Sequence, residues 1–232
     1  MVTKPALVLL FALAFAFFIL VPPFLTRPFP PYGLMHWADV LDVATPLFLL
    51  PLYWLLFTDA GRVRRSRPLV LVFLVLGALW AEGQGMHLSA NSIGNLLGAG
   101  ASPVHDLVHF YDEVLSHYLW HAAVIGLSIL LVAVRTDVRA GAAPMPWALM
   151  VPAVALYGFT YFADINEGGT VPLGLPAAVS IPVAILLARR EDLRRRNLTA
   201  FFFWSYVVAV IFFAGWFAYW RGFPEFSEVG IL

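Results

Sequence analysis

Seven apolar stretches, at 6–26, 36–58, 69–92, 108–134, 147–166, 171–188 and 199–220, take up most of this chain. Each is close to or above the roughly 20 residues a helix needs to cross about 30 Å of hydrocarbon. In lipid a segment must satisfy its backbone hydrogen bonds internally, and an open run of this length does so as a helix. The expected fold is therefore all-α: a polytopic membrane bundle of seven transmembrane helices, with residues 1–232 forming one integral-membrane domain. Charged residues make up 12% of the chain, about half the roughly 25% of a soluble domain, so an aqueous globule is excluded.

Prolines and glycines punctuate the spans. Pro22-Pro23 with Pro28, Pro30 and Pro31 close the first, a glycine-rich 98–102 follows the third, and Gly168-Gly169 follows the fifth. Such clusters break helices where loops are needed. The sixth span is short and contains Pro172, Pro176 and Pro182.

Basic residues set the expected orientation. Arg62, Arg64, Arg65 and Arg67, then Arg135 and Arg139, then Arg189, Arg190, Arg194, Arg195 and Arg196 fall in alternate loops, which the positive-inside rule makes cytoplasmic. With Lys4 ahead of the first span, the N-terminus is expected inside and the C-terminus outside. The N-terminal run is read as a retained span, because it is long and lacks a small-residue cleavage site. Only Asp59, Asp137, Glu191 and Asp192 of the fourteen acids fall on the inner side; ten acids and all six histidines fall in the outer half.

His105, His109, Glu113, His117 and His121 recur every fourth residue, with Asp112 beside them. On an α-helix this stripe turns slowly. His105, His109 and Asp112 then form an outer group, and Glu113, His117 and His121 an inner one. Counted from the basic ends at 1.5 Å per residue, His121 and Glu82 lie about 20 Å up, and His117, His87, Asp164 and Asp42 about 25 Å. Four spans thus carry ionisable groups to one layer.

The pair His117 and His121 is an HxxxH motif, whose spacing lets two imidazoles share a metal. The expected metal ligands are His87, His117, His121, Glu113, His109 and Asp112. Glu82, Glu113, Asp164 and Glu167 are expected catalytic acids or bases, the last two on a Gly168-Gly169 hinge that could close over the site. Gln84, Asn91 and Asp42 are expected to support the ligands or bind substrate. Nitrogen and oxygen donors without sulfur suit one or two Zn, Fe, Mn or Cu ions, and the chain has no cysteine.

These features together predict a metal-dependent membrane enzyme, hydrolytic by preference. Its expected substrate is a lipid or another apolar molecule at the outer face of a bacterial or archaeal cytoplasmic membrane. An iron or copper oxidoreductase and a proton-coupled or metal-ion transporter are the alternatives, with a haem-binding carrier behind them. The apolar inner halves of the spans favour a one-sided pocket over a conducting path. Lys4 is the only lysine, which excludes a retinal Schiff base within the bundle. HExxH, GxSxG and Walker motifs are absent, and no nucleic-acid partner is implied. Seven spans with HxxxH and scattered acids loosely resemble the seven-helix membrane hydrolases of the alkaline-ceramidase and adiponectin-receptor type. The pair belongs to the last helix in that superfamily and to the fourth span here, so the resemblance assigns no family.

Overall fold

The structure is a computed structural model describing residues 5–59, 66–97, 102–133, 145–194 and 196–231. Lys4, Arg62, Arg64, Arg65, Gly98, Gly100, Arg135, Asp137, Arg139 and Arg195 lie outside the described residues. Among the described residues seven helices form the fold: α1 (Pro5–Leu20), α2 (Trp37–Asp59), α3 (Arg67–Leu97), α4 (Pro103–Ala133), α5 (Trp147–Glu167), α6 (Val171–Arg189) and α7 (Asn197–Trp220). A short antiparallel hairpin, β1 (Pro28–Phe29) with β2 (Tyr32–His36), joins α1 to α2.

The six helices α2–α7 are long and apolar enough to cross a membrane. Helix α1 is shorter than its apolar run suggests. It ends at Leu20 because Pro22 and Pro23 begin a single turn of 3₁₀ helix at Pro22–Phe24. Its 16 residues extend about 24 Å at 1.5 Å per residue. Helix α3 is longer than expected, running through the polar Gln84–Asn95 stretch to Leu97.

Neighbouring helices close a ring in the order α1, α5, α7, α6, α4, α3, α2 and back to α1. Small residues allow the closest approaches. A Cβ on Gly83 of α3 would lie 2.7 Å from the Ser116 carbonyl oxygen and 2.8 Å from the Trp120 nitrogen of α4. Gly158 of α5 meets the Ser205 carbonyl of α7 in the same way. Without water to drive them together, membrane helices depend on this kind of close packing.

The interior is aromatic: Phe11, Phe15, Tyr53, Tyr157, Phe201, Phe202 and Tyr206 are fully buried and pack edge to face or tilted. The outer surface is apolar as well, with Leu71, Leu74, Val151, Leu187 and Ile211 exposed. A chain apolar inside and out is matched to lipid rather than water.

Two local features position the site. Helix α4 opens at Ser102, whose hydroxyl accepts the His105 N–H at 3.1 Å, with Pro103 at the first helical position. Between Phe110 and Ser116 it widens into a π segment before resuming as α-helix at His117. At the other end of the chain, residues 221–231 fold back as a strap. Glu167 on α5 holds the strap by accepting the Phe226 N–H at 2.6 Å and the Ser227 N–H at 3.4 Å. Asn166 and Trp216 both donate to the Pro224 carbonyl, at 2.8 and 3.0 Å.

Candidate functional site: a histidine and carboxylate pocket

A cavity of about 560 Å³ opens between α1, α2, α3, α4, α5 and the strap. Part of its lining is apolar, from Phe18, Ile19, Leu20 and Phe24 with Phe159 and Phe226. The rest includes Asp42, His87, Asn91, Glu113, His117, His121, Asp164, Glu167 and Glu225. Groups from four helices that were placed at one depth by residue counting thus share one pocket. Asp112 is buried immediately behind it, against His87.

The π segment determines which residues of the four-residue ladder face inward. An i→i+5 turn holds one more residue than an α turn, so it shifts the phase of everything beyond it. Asp112 is therefore buried and turned to His87 instead of grouping with His105 and His109. His109 is exposed on the outer turn and does not line the cavity, which corrects its expected role as a ligand.

Two further expected site residues lie away from the pocket lining. Glu82 is exposed on α3 and does not line the pocket, because its offset of five positions from His87 carries it well around the helix. Gln84 is buried beside Trp80, whose indole N–H donates to its Oε1 at 3.4 Å, so it supports packing. Asn91 does line the cavity, where its Oδ1 accepts from Asn95 Nδ2 at 3.1 Å. At the start of α2, Asp39 accepts the His36 N–H at 2.6 Å and has a capping role.

The double glycine forms the turn between α5 and α6. Gly169 has φ of +61° and turns the chain tightly from α5 into α6. Gly168 makes room for imidazoles: a Cβ there would lie 2.6 Å from His121 Cε1 and 3.3 Å from His117 Nδ1. The cover over this end of the cavity is the strap, which brings Glu225, Phe226 and Ser227 to its lining.

Three imidazoles stack through the site. Ring centroids are 4.8 Å apart for His87 and His117 and 5.7 Å for His117 and His121, with Trp120 5.0 Å from His121. Each ring has an oxygen neighbour. His117 Nδ1 lies 3.2 Å from the Glu113 carbonyl oxygen. His87 Nδ1 lies 2.8 Å from Asp112 Oδ1. His121 lies between Thr170, with Nδ1 2.5 Å from Oγ1, and Asp164, with Nε2 3.4 Å from Oδ2.

His87 Nδ1, Asp112 Oδ1, His121 Nε2 and Asp164 Oδ2 are all buried, and none makes a hydrogen bond. The two pairs differ in spacing: His87 Nδ1 and Asp112 Oδ1, 2.8 Å apart, are in ordinary ion-pair contact, whereas His121 Nε2 and Asp164 Oδ2 are 3.4 Å apart. Two ligands each about 2.1 Å from one tetrahedral ion lie about 3.4 Å from each other. The donor set of imidazole and carboxylate fits Zn, Fe, Mn or Cu(II). Among the described residues, however, no three His, Asp or Glu side chains are grouped closely enough to hold one ion. The convergence is pairwise.

Thr170, Trp120 and Glu225 were given no role by the sequence reading, although all three are at the site. Their proximity comes from tertiary contacts, and the only local signal was the acidic residues after the seventh span. The interior below Asp164 is also less apolar than expected. The Tyr157 hydroxyl is shared with Ser128 at 3.0 Å and Tyr53 at 3.4 Å, and the Thr160, Ser205 and Tyr206 hydroxyls are buried without hydrogen bonds.

Fold and site together describe an integral-membrane helical bundle with a half-apolar pocket of imidazoles and carboxylates. Comparison with protein-family models, curated proteins and solved structures found no match.

Proposed function

We propose that the protein is a metal-dependent integral-membrane enzyme, acting in this pocket on a lipid or another apolar substrate, with hydrolysis the preferred reaction. One observation carries the reading. If the Thr170 hydroxyl donates to the Ile165 carbonyl, at 3.4 Å, its oxygen accepts from His121 Nδ1, and Nε2 is left as a lone pair facing Asp164 Oδ2. Two buried acceptors in that position need a proton or a metal ion between them.

His121 with Asp164 and His87 with Asp112 would hold one or two ions, and His117 is the nearest further donor. A bound divalent metal lowers the pKa of water and polarises a scissile carbonyl or phosphoryl group. The protein's own contributions are distinct from that chemistry. The Phe18–Phe24 wall seats an apolar chain and excludes water, while the half-buried Glu113 and Glu167 are placed to take or return a proton. The location that accords with the basic loops is a bacterial or archaeal cytoplasmic membrane, with the pocket toward the outer leaflet.

A proton-coupled or metal-ion transporter is the second reading. The buried hydroxyls of Thr160, Ser205 and Tyr206 favour it, because they extend polarity inward from Asp164. Metal analysis of detergent-purified protein tests the first. Wild type is expected to retain about one or two equivalents of Zn, Fe, Mn or Cu, and His121→Ala and Asp164→Asn to lose tenfold or more in metal affinity. Metal-free wild type after growth with all four metals would overturn the metal reading. A redox-active spectrum would assign the site to an oxidoreductase. Metal-bound protein that turns over no lipid but carries protons or metal ions across liposomes would favour transport.

A further inference from the structure

Five carboxylates reach the cavity, from Asp42, Glu113, Asp164, Glu167 and Glu225, and no lysine or arginine is among its described lining residues. With all three lining imidazoles protonated, three positive charges against five negative still leave the lining formally at −2. The Asp42 and Glu225 carboxylates make no hydrogen bond or ion pair with a described residue, although the Glu225 backbone N–H donates to Glu228 Oε2 at 2.9 Å. Asp164, 7% exposed, presents an Oδ2 without a hydrogen bond. The Glu225 carboxyl is pushed up to about 7 by partial burial and by the Glu113, Glu167 and Glu228 carboxylates around it. Like charges crowded at the edge of a low-dielectric cavity are relieved by a cation.

The apolar part of the lining specifies the rest of the ligand. Its aromatic and aliphatic side chains suit an alkyl chain, and aromatic faces also attract an ammonium group. A phosphate or carboxylate headgroup would be repelled by the acids, and an uncharged one would gain little from them. We propose that the pocket selects an amine-bearing amphiphile, with its ammonium held by Glu113, Glu167 and Glu225 and its alkyl chain along Phe18, Phe24 and Phe159. This rests on the reading of the cavity as a lipid-handling site and names the class of lipid.

The test uses the full chain in micelles of the uncharged detergent dodecyl maltoside. Tryptophan fluorescence is followed during titration with tetradecyltrimethylammonium, tetradecanol or tetradecyl phosphate. The ammonium compound is expected to bind saturably, about tenfold tighter than the alcohol, with the phosphate weakest. Glu225→Gln and Glu113→Gln are each expected to weaken ammonium binding about three- to tenfold and leave alcohol binding unchanged. Alcohol or phosphate binding as tight as the ammonium overturns the proposal, and so does unchanged selectivity in both variants. A response to calcium ion in place of the amine also overturns it, by making the acids an inorganic cation site. If a variant does not fold, the wild-type headgroup series still decides. Metal measured on the same samples separates the two readings. Metal-loaded protein without headgroup preference removes this inference alone, whereas metal-free protein with ammonium preference removes only the metal.

Discussion

Thr170 has one hydroxyl proton and two neighbours that could accept it, the Ile165 carbonyl at 3.4 Å and His121 Nδ1 at 2.5 Å. Giving it to the carbonyl leaves Nδ1 as the ring's N–H and frees Nε2 for a metal. On the proposed metal reading the hydroxyl would orient a ligand that it does not itself join, and outer groups of this kind influence metal affinity strongly. Thr170→Val keeps the shape and removes the hydroxyl. It should weaken metal binding about 10- to 100-fold and lower stability by about 1–3 kcal/mol through an unsatisfied buried nitrogen. Thr170→Ser should restore both. Competitive chelator titration and thermal unfolding measure the two effects, and unchanged affinity in the Val variant would deny Thr170 this role. Gly168 has a similar indirect role, because any Cβ there would displace the His121 ring.

At the scale of elements, the C-terminal strap is docked by its backbone, with the Phe226 and Ser227 N–H groups on the Glu167 carboxylate. Glu225 sits among Glu113 of α4, Glu167 of α5 and Glu228 of the strap itself, which together with burial raise its carboxyl to about 7 from 4.5. A carboxyl raised on folding binds its proton more tightly in the folded state. Its stabilising contribution is full below about pH 4.5 and disappears as pH rises through about 7. The strap should therefore be held more firmly at about pH 5 than at about pH 8. Hydrogen-exchange protection of the Phe226 and Ser227 amides, corrected for intrinsic rate, should fall over that interval in wild type. It should stay level in Glu225→Gln, and the same fall in that variant would assign the effect to another group. No pattern in the chain announces this strap, since its hydrogen bonds reach back about sixty residues to Glu167. The π segment is equally hidden: a four-residue repeat reads as an α stripe, and the segment ends at Ser116, where α4 packs closely on Gly83 of α3. What local rules control was legible. The helix breaks fall at Pro22-Pro23 and Gly168-Gly169, and counting along straight helices placed His87, His117, His121, Asp164 and Asp42 at one depth. Counting gives height but not azimuth, and for that reason Glu82 was expected at the site and is found on the outer surface.

At the scale of the whole molecule, the bundle has apolar residues on its surface and its charges are segregated by sign along the sequence. Ten of the fourteen acids fall in or toward the segments that form the hairpin, the pocket and the strap, and all but two of the basic residues fall in the sequence ahead of the first span or in the alternate loops. The positive-inside rule acts on short basic loops, so the loops between α2 and α3, α4 and α5, and α6 and α7 should be cytoplasmic. The hairpin, pocket and strap should then face outward. The natural absence of cysteine makes this directly measurable, since a single introduced thiol reports without background. Gly33, where a Cβ would meet nothing within 4 Å, and the exposed Ser227 are the sites for the outer side, and Ser66 for the inner. Gly33→Cys and Ser227→Cys should react with a membrane-impermeant maleimide in intact cells, and Ser66→Cys only after the membrane is opened. The opposite pattern would invert the bundle. Since α3 to α7 separate Ser66 from Ser227, labelling of both from one side would mean that one of those five helices does not cross. The expected pattern would make the pocket accessible from the outer leaflet, the position from which an amphiphile could enter chain first along the Phe18–Phe24 wall.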